Sequence, residues 1–350
     1  MPEKKYSKNI KLRFREESAK GYYSMKELTP PIRKDRKPLQ DLLPLKQPLR
    51  VNIDPCDFCN FKCDFCFQCQ NTGFKGNIMS DETFGRIIEQ LKEFDEPINV
   101  IQLFALGEPL INKHVPQYIR RIRQEHVAKE VKITTNGSLL THELIDELME
   151  AGLDELIISL NGLCDDDFVR ITNTKVSFDK MFDNIKYLYA NRRNCHVHIK
   201  ILGDYFSKEG QQFFIEQIGE YADTINIDGV TNHWSGLSAT ETPKQQYNIG
   251  EDVFNECSIC SLCFYELAIH SDGTVSPCAA DWRKDEDNLG NIRESSIKAI
   301  WESKKRNDIL VSFLRGTEQP YKACKECEYP YSGAGVNLEP YKEMLLKKYV

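Results

Sequence analysis

The spacing of apolar and polar positions along the chain predicts helices and strands in alternation. After the capping residue Ser80, for example, Phe84, Ile87, Ile88 and Leu91 share one face of a predicted helix. Short apolar runs typical of buried strands lie at residues 49–54, 98–106, 130–136, 155–161, 196–202 and 224–230. Strands that alternate with helices form parallel βα units. The predicted fold class is therefore α/β, with a partial (β/α)6 TIM-like barrel.

Three regions can be distinguished along the chain. Residues 1–47 form a polar, proline-rich lead-in, and residues 48–235 hold the predicted barrel. Residues 236–350 depart from the alternating pattern: an Asp-Gly pair at 272–273 predicts a two-residue hairpin turn, and a helix is predicted around Trp301. The C-terminal region is therefore predicted to be a smaller hairpin-plus-helix module.

The composition favours a protein that binds neither nucleic acid nor membranes. The formal net charge of the 350 residues is -7, which disfavours binding to a polyanion. No apolar run approaches the roughly 18 residues of a membrane helix, and the N-terminus lacks the apolar stretch of a signal peptide. The 13 cysteines are therefore expected in a reducing compartment, the cytoplasm, where clustered thiols bind metal rather than pair.

The segment CDFCNFKCDFCFQC, which follows the first predicted strand, concentrates several of these cysteines. Within it, Cys59, Cys63 and Cys66 have the spacing C-x3-C-x2-C. A [4Fe–4S] cluster normally takes four thiolates, so three in one short loop suit a cluster with one iron left open to bind a reactant. A structural zinc site usually needs four protein ligands, and a zinc knuckle that adds Cys56 is the alternative.

These motifs resemble those of the radical S-adenosylmethionine (SAM) superfamily. The resemblance rests on C-x3-C-x2-C after a first strand, on GEPL at 107–110 after the second, and on TTNGSLL and ISLNG at the ends of the next two. It implies that the GEPL turn lies against the amino group of bound SAM. The implied cofactor-binding residues are Phe65, Gly107, Glu108, Pro109, Asn136, Ser159 and Arg170.

The resemblance also implies a mechanism. The open iron would chelate SAM, and one electron would cleave SAM to methionine and a 5′-deoxyadenosyl radical that abstracts hydrogen from a C–H bond. The cofactor carries this step, while the protein positions it and excludes water. The implied electron donor is a flavodoxin or a ferredoxin. Cys56 and Cys69, which flank the three cysteines, are interpreted as non-ligands.

A second set of cysteines resembles the C-terminal extension called SPASM in its truncated form, called twitch. The spacing C-x9-G-x4-C, followed later by C-x2-C, carries the resemblance and implies one auxiliary [4Fe–4S] cluster. The implied ligands are Cys263, Cys278, Cys324 and Cys327. A two-residue turn would place Leu267, rather than Cys263, opposite Cys278. Cys257 and Cys260 therefore remain alternative ligands, and a structural zinc ribbon remains an alternative site.

Polar residues at or near the ends of the last two barrel strands are candidates for catalysis. They are Lys200, Asp204, Asp228 and His233. Each can serve as a base or as an anchor for a hydroxyl group, because chemistry in such barrels sits at the C-terminal ends of strands. Family members with one auxiliary cluster include dehydrogenases of sugar-like compounds. The resemblance thus implies a small polyhydroxylated substrate, a sugar, aminocyclitol or nucleotide sugar, that is oxidised or epimerised.

Other interpretations remain open. A peptide-modifying maturase of the RiPP type is expected to have full SPASM spacing and a leader-binding domain, for which residues 1–47 are too short. A molybdopterin-precursor synthase has a similar layout but is expected to end in a glycine- and arginine-rich tail, whereas this sequence ends YKEMLLKKYV. A non-enzymatic iron–sulfur or zinc protein is the alternative of another class.

Overall fold

A computed structural model describes residues 37–70, 73–230, 257–284, 288–327, 329–332 and 336–350. Its strands are β1 Arg50–Ile53, β2 Ile98–Leu103, β3 Ala128–Thr135, β4 Glu155–Ser159, β5 His196–Leu202, β6 Thr224–Asp228, β7 Glu266–Ile269, β8 Thr274–Ser276 and β9 Gly290–Asn291. Within the described residues these strands form one sheet in the order β6-β5-β4-β3-β2-β1-β7-β8-β9.

Helices follow most of the strands. They are α1 Leu39–Leu42, α2 Asp81–Leu91, α3 Val115–Gln124, α4 His142–Ala151, α5 Asp165–Thr172, α6 Phe178–Asn191, α7 Lys208–Phe213, α8 Leu262–Tyr265, α9 Ile297–Trp301, α10 Lys304–Arg315, α11 Lys322–Lys325 and α12 Lys342–Tyr349. In the described part of the chain, no helix is long and apolar enough to cross a membrane.

The six predicted barrel strands are confirmed, and all of them are parallel. Ile53 of β1 pairs with Leu103 of β2, and Ile158 of β4 pairs with Ile199 of β5. The sheet does not close on itself, since β6 and β9 form its two edges in the described residues. The predicted α/β class and partial barrel are therefore confirmed.

Local sequence signals fix the ends of the helices. The Ser80 hydroxyl accepts a hydrogen bond from the Thr83 N–H at 3.1 Å, which caps α2. Thr141 caps α4 in the same way, accepting from the Leu144 N–H at 3.2 Å. The helix ends at Gly152, whose φ of +88° suits glycine. These caps confirm the helix boundaries expected from the sequence.

The barrel strands have one apolar and one polar face. Ile133, Ile158 and Ile199 are fully buried and belong to the main apolar core. The residues that alternate with them, such as Thr134 and Lys200, lie on the opposite face and are half-buried. The inner face of this sheet is therefore polar, unlike the packed apolar interior of a closed barrel.

The C-terminal hairpin is part of the barrel sheet rather than a module with a sheet of its own. β7 lies parallel to β1, with Arg50 opposite Glu266, and β8 and β9 extend the sheet beyond it. The predicted two-residue turn is wrong by one residue. Ala268 pairs with Ser276, and beyond the strand ends the His270 N–H donates to the Thr274 carbonyl oxygen at 2.9 Å. Three residues, 271–273, therefore form the turn, and Gly273 among them adopts a φ of +88°.

A buried arginine fastens α10 to the segment that precedes β7. The Arg306 guanidinium donates to the carbonyl oxygens of Cys263 at 3.0 Å, Phe264 at 3.2 Å and Trp301 at 3.2 Å. These carbonyls are shielded from water, so the arginine is the group that satisfies them. The short helix α8, which contains Cys263, is thereby held in place.

We expect Arg306→Met to lower the free energy of unfolding by about 2 kcal/mol, because it leaves buried carbonyl oxygens without a donor. Urea unfolding followed by circular dichroism measures this. The matched control is Arg315→Met at the exposed end of the same helix. An equal loss of stability in the two variants would contradict the role given to Arg306.

Candidate active site

The loop after β1 brings three predicted thiols close together. The Cys59, Cys63 and Cys66 side chains are mostly buried, and each lies within electrostatic range of another. Burial raises the pKa of Cys59 to about 12 and that of Cys66 to about 11, and it also raises the pKa of Cys63. The thiols are therefore protonated at neutral pH, and a bound metal would displace their protons.

The spacing of the sulfur atoms fits an iron–sulfur cluster better than a zinc ion. In a tetrahedral zinc site with Zn–S bonds of about 2.3 Å, the sulfurs stand about 3.8 Å apart. Among the described residues, no three cysteine sulfurs lie within 4.8 Å of one another. A cubane binds each thiolate through a different iron and so needs wider spacing. The arrangement disfavours the zinc knuckle.

Cys56 lies within electrostatic range of Cys59, but its thiol is bonded to the backbone. Its thiol donates to the Phe58 carbonyl oxygen at 3.3 Å, and its backbone forms an isolated bridge with Ile78. The side chain is fully buried. Cys56 therefore stays a predicted non-ligand.

Amide N–H groups point at two of the sulfurs. The Phe61 N–H lies 3.4 Å and the Asn136 side-chain amide 3.7 Å from the Cys59 sulfur. The Asn161 amide lies 3.9 Å from the Cys63 sulfur. Such donors stabilise thiolate charge and tune the potential of a cluster. Asn161 was missed by the sequence analysis, although it belongs to the ISLNG motif.

The GEPL turn packs directly on the cysteine loop. A Cβ atom at Gly107 would lie 2.2 Å from the Cys56 carbonyl oxygen and 2.4 Å from that of Phe58, so only glycine fits. The next residue, Glu108, donates its N–H to the Phe58 oxygen at 3.0 Å. Pro109 then begins a 3-10 turn. The turn and the loop therefore act as one unit.

The Glu108 carboxylate is buried at the ends of β2 and β3. It accepts hydrogen bonds from the Leu110 N–H at 3.1 Å, the Thr135 hydroxyl at 2.6 Å and the Asn136 N–H at 2.7 Å. Burial raises the pKa of Glu108 to about 7, although these bonds oppose the shift. The fixed oxygens retain lone pairs that suit a cationic group such as an ammonium.

Gln68 is a second residue that the sequence analysis missed. Its amide donates to the carbonyl oxygens of Asp57 at 2.9 Å and Leu106 at 2.7 Å, and its oxygen accepts from the Cys59 N–H at 3.1 Å. Gln68, near the end of the cysteine loop, thus bonds both to residues at the start of that loop and to Leu106, the residue before GEPL. No motif in the sequence distinguishes it.

The remaining predicted cofactor contacts lie around the same edge of the sheet. Phe65 is half-buried, with its ring 5.6 Å from that of Tyr205. Ser159 ends β4 on the polar face, opposite Lys200 of β5. Arg170 is half-exposed and donates to Asp167 at 2.9 Å and to the Tyr205 carbonyl oxygen. Its guanidinium is therefore already engaged on α5.

Three of the four predicted catalytic residues are described, and two of them touch. The Lys200 ammonium lies 3.0 Å from the Asp228 carboxylate, which also accepts from the Asn226 amide. Asp204 accepts from the Val230 N–H at 2.6 Å, and its other oxygen is buried with no partner among the described residues. His233 lies outside the described residues.

Deeper on the polar face, His198 contacts the Thr224 hydroxyl at 2.7 Å. Burial lowers the pKa of His198, so its imidazole is neutral at pH 7. Gln102 donates to the Thr134 hydroxyl at 2.9 Å. Amide, imidazole, ammonium and carboxylate groups thus line one continuous wall of the barrel.

The second set of cysteines converges on a cavity beside the hairpin. The cysteines that line it are Cys260, Cys263, Cys278, Cys324 and Cys327. Cys263 makes thiol contacts with both Cys260 and Cys324, and burial raises the pKa of Cys278 well above its usual value. The chain before β7 does curl back, through α8, which brings Cys263 to this cavity.

The two alternative ligands, Cys260 and Cys257, differ in their position relative to the cavity. Cys260 lines the cavity, so it stands beside the four implied ligands. Cys257 does not line it, and its thiol donates to the Ile259 carbonyl oxygen at 3.2 Å. The mostly apolar cavity with several thiols fits an iron–sulfur cluster, which needs thiolate ligands shielded from water.

Comparison with known proteins agrees with both sites. The family model "Radical SAM superfamily" matches residues 53–209, and the model "Iron-sulfur cluster-binding domain" (SPASM) matches residues 257–328. A GTP 3′,8-cyclase of Clostridium botulinum is 29% identical over 263 residues, 66% of this chain and 80% of that protein. A probable GTP 3′,8-cyclase of Methanococcus vannielii is 33% identical over 127 residues, 36% of this chain and 40% of that protein.

Several solved structures share the fold at low sequence identity. Native anSMEcpe with bound AdoMet has a TM-score of 0.59 at 16% identity, covering 86% of this chain and 97% of that one. SuiB of Streptococcus suis bound to S-adenosylmethionine has a TM-score of 0.58 at 18% identity, covering 81% and 72%. BtrN in complex with AdoMet and 2-DOIA has a TM-score of 0.50 at 17% identity, covering 79% and 92%.

The two family models cover the cysteine loop and the hairpin cavity, the two places where the thiols gather. A [4Fe–4S] cluster, SAM and an auxiliary iron–sulfur cluster are the cofactors of such proteins. The chain belongs to the radical SAM superfamily and carries a C-terminal SPASM iron–sulfur cluster-binding domain.

Proposed function

We propose that this radical SAM enzyme abstracts hydrogen from a small polyhydroxylated substrate, such as a sugar, an aminocyclitol or a nucleotide sugar, and oxidises or epimerises it. The observation that carries the proposal is the polar inner face of the barrel. Lys200, Asp228, Asn226 and His198 offer hydrogen-bond donors and acceptors at fixed positions on adjacent strands. Such a wall suits a ligand rich in hydroxyl groups, since each buried polar group needs a partner.

In this proposal the cysteine loop holds the catalytic cluster. Cys59, Cys63 and Cys66 would bind three irons of a [4Fe–4S] cluster, leaving the fourth open for SAM. When bound, the cluster and SAM supply the radical that abstracts hydrogen from the substrate. Asn136 and Asn161 would donate to the ligand sulfurs, which stabilises their negative charge.

The GEPL turn would orient SAM. The Glu108 carboxylate is held by three donors and is available to an ammonium group, which favours its charged form. Ser159 and Phe65 lie at the same edge of the sheet and would contact the rest of the cofactor. Because Gly107 lies against the cysteine loop, the orientation of SAM and the shape of that loop are set together.

The Lys200–Asp228 pair is the proposed catalytic pair for the substrate. The carboxylate can accept the proton of a substrate hydroxyl, and the adjacent ammonium, 3.0 Å away, can donate to a second oxygen. The auxiliary cluster, bound by Cys263, Cys278, Cys324 and Cys327, would take up the electron that an oxidised substrate releases. Cys260 is the alternative for one of these ligands, because it lines the same cavity.

The likeness in fold to BtrN bound to 2-DOIA is consistent with a small substrate, but at 17% identity it concerns the fold alone. A cytoplasmic location, where thiols stay reduced, and a flavodoxin or ferredoxin donor complete the proposal.

GTP is the second candidate substrate. The relatives named GTP 3′,8-cyclase match 66% of this chain at 29% identity, which favours a nucleotide in the barrel. A peptide is the third candidate, since SuiB has been solved bound to precursor peptide SuiA. A non-catalytic iron–sulfur protein is distinguished from all three, because it would leave SAM intact after reduction.

Cys63→Ala is expected to remove the catalytic cluster. Iron content should fall from about eight to about four atoms per chain, since each cubane holds four. Reductive cleavage of SAM by the anaerobically purified protein should be lost. Cys56→Ala removes a buried thiol outside the cluster, so this variant should keep both the iron content and the cleavage of SAM. SAM cleavage that survives in Cys63→Ala would overturn the ligand assignment.

Deuterium transfer tests the substrate class. Deuterated sugars, aminocyclitols and nucleotide sugars are incubated with the reduced enzyme and SAM, with deuterated GTP and a deuterated peptide pool in parallel reactions. Label is expected in 5′-deoxyadenosine only with a polyhydroxylated compound. Transfer from GTP or from peptide alone would establish the corresponding alternative instead.

Asp228→Asn is expected to slow hydrogen transfer from substrate by about 100-fold, because it removes the base while the amide can still bond to its neighbours. The Kd of SAM should not change. Asp223→Asn makes the same change of charge just before β6, where Asp223 pairs with Arg192, and should preserve transfer. Equal transfer in the Asp228 variant and wild type would exclude the proposed base.

A further inference from the structure

A buried cluster of titratable side chains lies between the cysteine loop and the hairpin. Among the described residues, Asp54, Asp57 and His270 form the one group of three ligand-type side chains whose atoms lie within 4.8 Å of one another. All three are fully buried. The proposed function uses none of them.

This cluster is poorly suited to a metal ion, because Asp57 is already saturated. The Lys284 ammonium lies 2.5 Å from one of its oxygens, and the Ser271 hydroxyl donates to the same oxygen at 2.5 Å. The Ser271 N–H donates to the other oxygen at 3.1 Å. Lys284 also pairs with the Asp272 carboxylate at 2.8 Å. Both oxygens of Asp57 are thus occupied, and the other two side chains of the cluster, Asp54 and His270, form a pair of their own.

Asp54 and His270 face each other without a full set of partners. The His270 Nδ1 atom lies 3.7 Å from one Asp54 oxygen, which accepts from the Leu106 N–H at 2.9 Å. The other Asp54 oxygen and Nδ1 are buried and have no hydrogen-bond partner among the described residues. Unpartnered buried polar atoms are costly and call for an explanation.

The other side of the imidazole fixes its tautomer. The Ser276 hydroxyl donates to the Asp281 carboxylate at 2.9 Å, so its oxygen is free to accept from His270 Nε2 at 3.0 Å. Nε2 therefore carries a hydrogen, and Nδ1 is the position that can gain or lose one. A proton on Nδ1 would place an imidazolium 3.7 Å from the Asp54 carboxylate and so form a buried ion pair.

The same contacts connect this pair to the auxiliary cavity. The Asp281 carboxylate also accepts from the Tyr321 hydroxyl at 2.6 Å, and both side chains line the cavity with the cysteines. A series of hydrogen bonds thus leads from that cavity through Asp281, Ser276 and His270 toward Asp54. Asp54 in turn accepts from the N–H of Leu106, the residue before GEPL. All members are nearly inaccessible to solvent.

We propose that Asp54 and His270 form a proton-binding site that takes up one proton when the auxiliary cluster takes up one electron. The inference rests on the cluster placement in the proposed function. Added negative charge in a low-dielectric interior attracts a proton to a buried site that can hold it, and the contacts through Asp281 and Ser276 connect the cavity to this pair. The electron comes from the oxidised substrate radical, or from an electrode in the test. The proton comes from solvent and forms the new N–H or O–H bond.

The surrounding charges agree with this assignment. Lys284 lies between two carboxylates, Asp57 and Asp272, so these three groups carry a net negative charge that favours a proton nearby. Burial raises the pKa of Asp281, and its two hydroxyl donors oppose that shift. Burial raises the pKa of Asp54, while the imidazole opposes the shift. A proton taken up at this pair would turn the contact between the imidazole and the carboxylate into a buried ion pair.

The test is the pH dependence of the reduction potential of the auxiliary cluster in the holoenzyme. The auxiliary cluster is identified by its electron paramagnetic resonance signal, which added SAM leaves unchanged. One proton per electron makes the potential fall by about 59 mV per pH unit. This slope is expected around pH 7, to which burial raises the pKa of Asp54.

His270→Gln and Asp54→Asn should each flatten the slope, because each removes one half of the pair while keeping a polar side chain of similar size. The control is His114→Gln, which removes a half-exposed histidine that pairs with Asp81, and its slope should match the wild type. A potential independent of pH in the wild type, or an unchanged slope in both pair variants, would overturn the proposal. The two proposals can fail separately. If the slopes are as expected but the enzyme oxidises none of the candidate substrates, the proton site is supported and the proposed function is refuted.

Discussion

The cysteine loop has almost no regular secondary structure, and its shape depends on buried contacts from distant parts of the chain. Gly107 lets the GEPL turn pack against the backbone of the cysteine loop. Gln68, near the end of the loop, bonds to Asp57 at its start and to Leu106. On the far side, Asp57 is bound by Lys284 and Ser271 of the hairpin region. A buried ion pair that loses one partner leaves an uncompensated charge, so this contact locks the loop to the hairpin. The position of both clusters depends on this arrangement.

The division of the barrel into two faces explains how one sheet can serve both stability and chemistry. Isoleucines such as Ile133 and Ile199 bury one side against the helices and supply the apolar core. The opposite side carries Lys200, Asp228 and His198, which are only half-buried. Because the sheet stays open, this polar side can admit a ligand and does not need to be packed with side chains.

Local patterns in the sequence were enough to predict the strands, the helix caps and the groups of thiols. Some signals are local. Ser80, Thr141 and Gly152 each contact a residue at most a few positions away in the sequence, so their roles could be predicted from the sequence. Contacts over long distances could not be predicted in this way. No motif distinguishes Gln68, the ISLNG motif does not show that its Asn161 faces a thiol, and the parallel pairing of β7 with β1 has no local signature. The register of the hairpin was wrong because the conformation of Gly273 allows one more residue in the turn.

The parallel pairing of β7 with β1 also sets an order of events during synthesis on the ribosome. The Arg50 side chain bonds to the Tyr265 hydroxyl 215 positions later, and the neighbouring backbone pairs in the same way. Until that distant segment emerges, the outer edge of β1 is an unpaired strand with open N–H and carbonyl groups. Such edges recruit other chains. The nascent protein therefore exposes this open strand edge until the hairpin is translated.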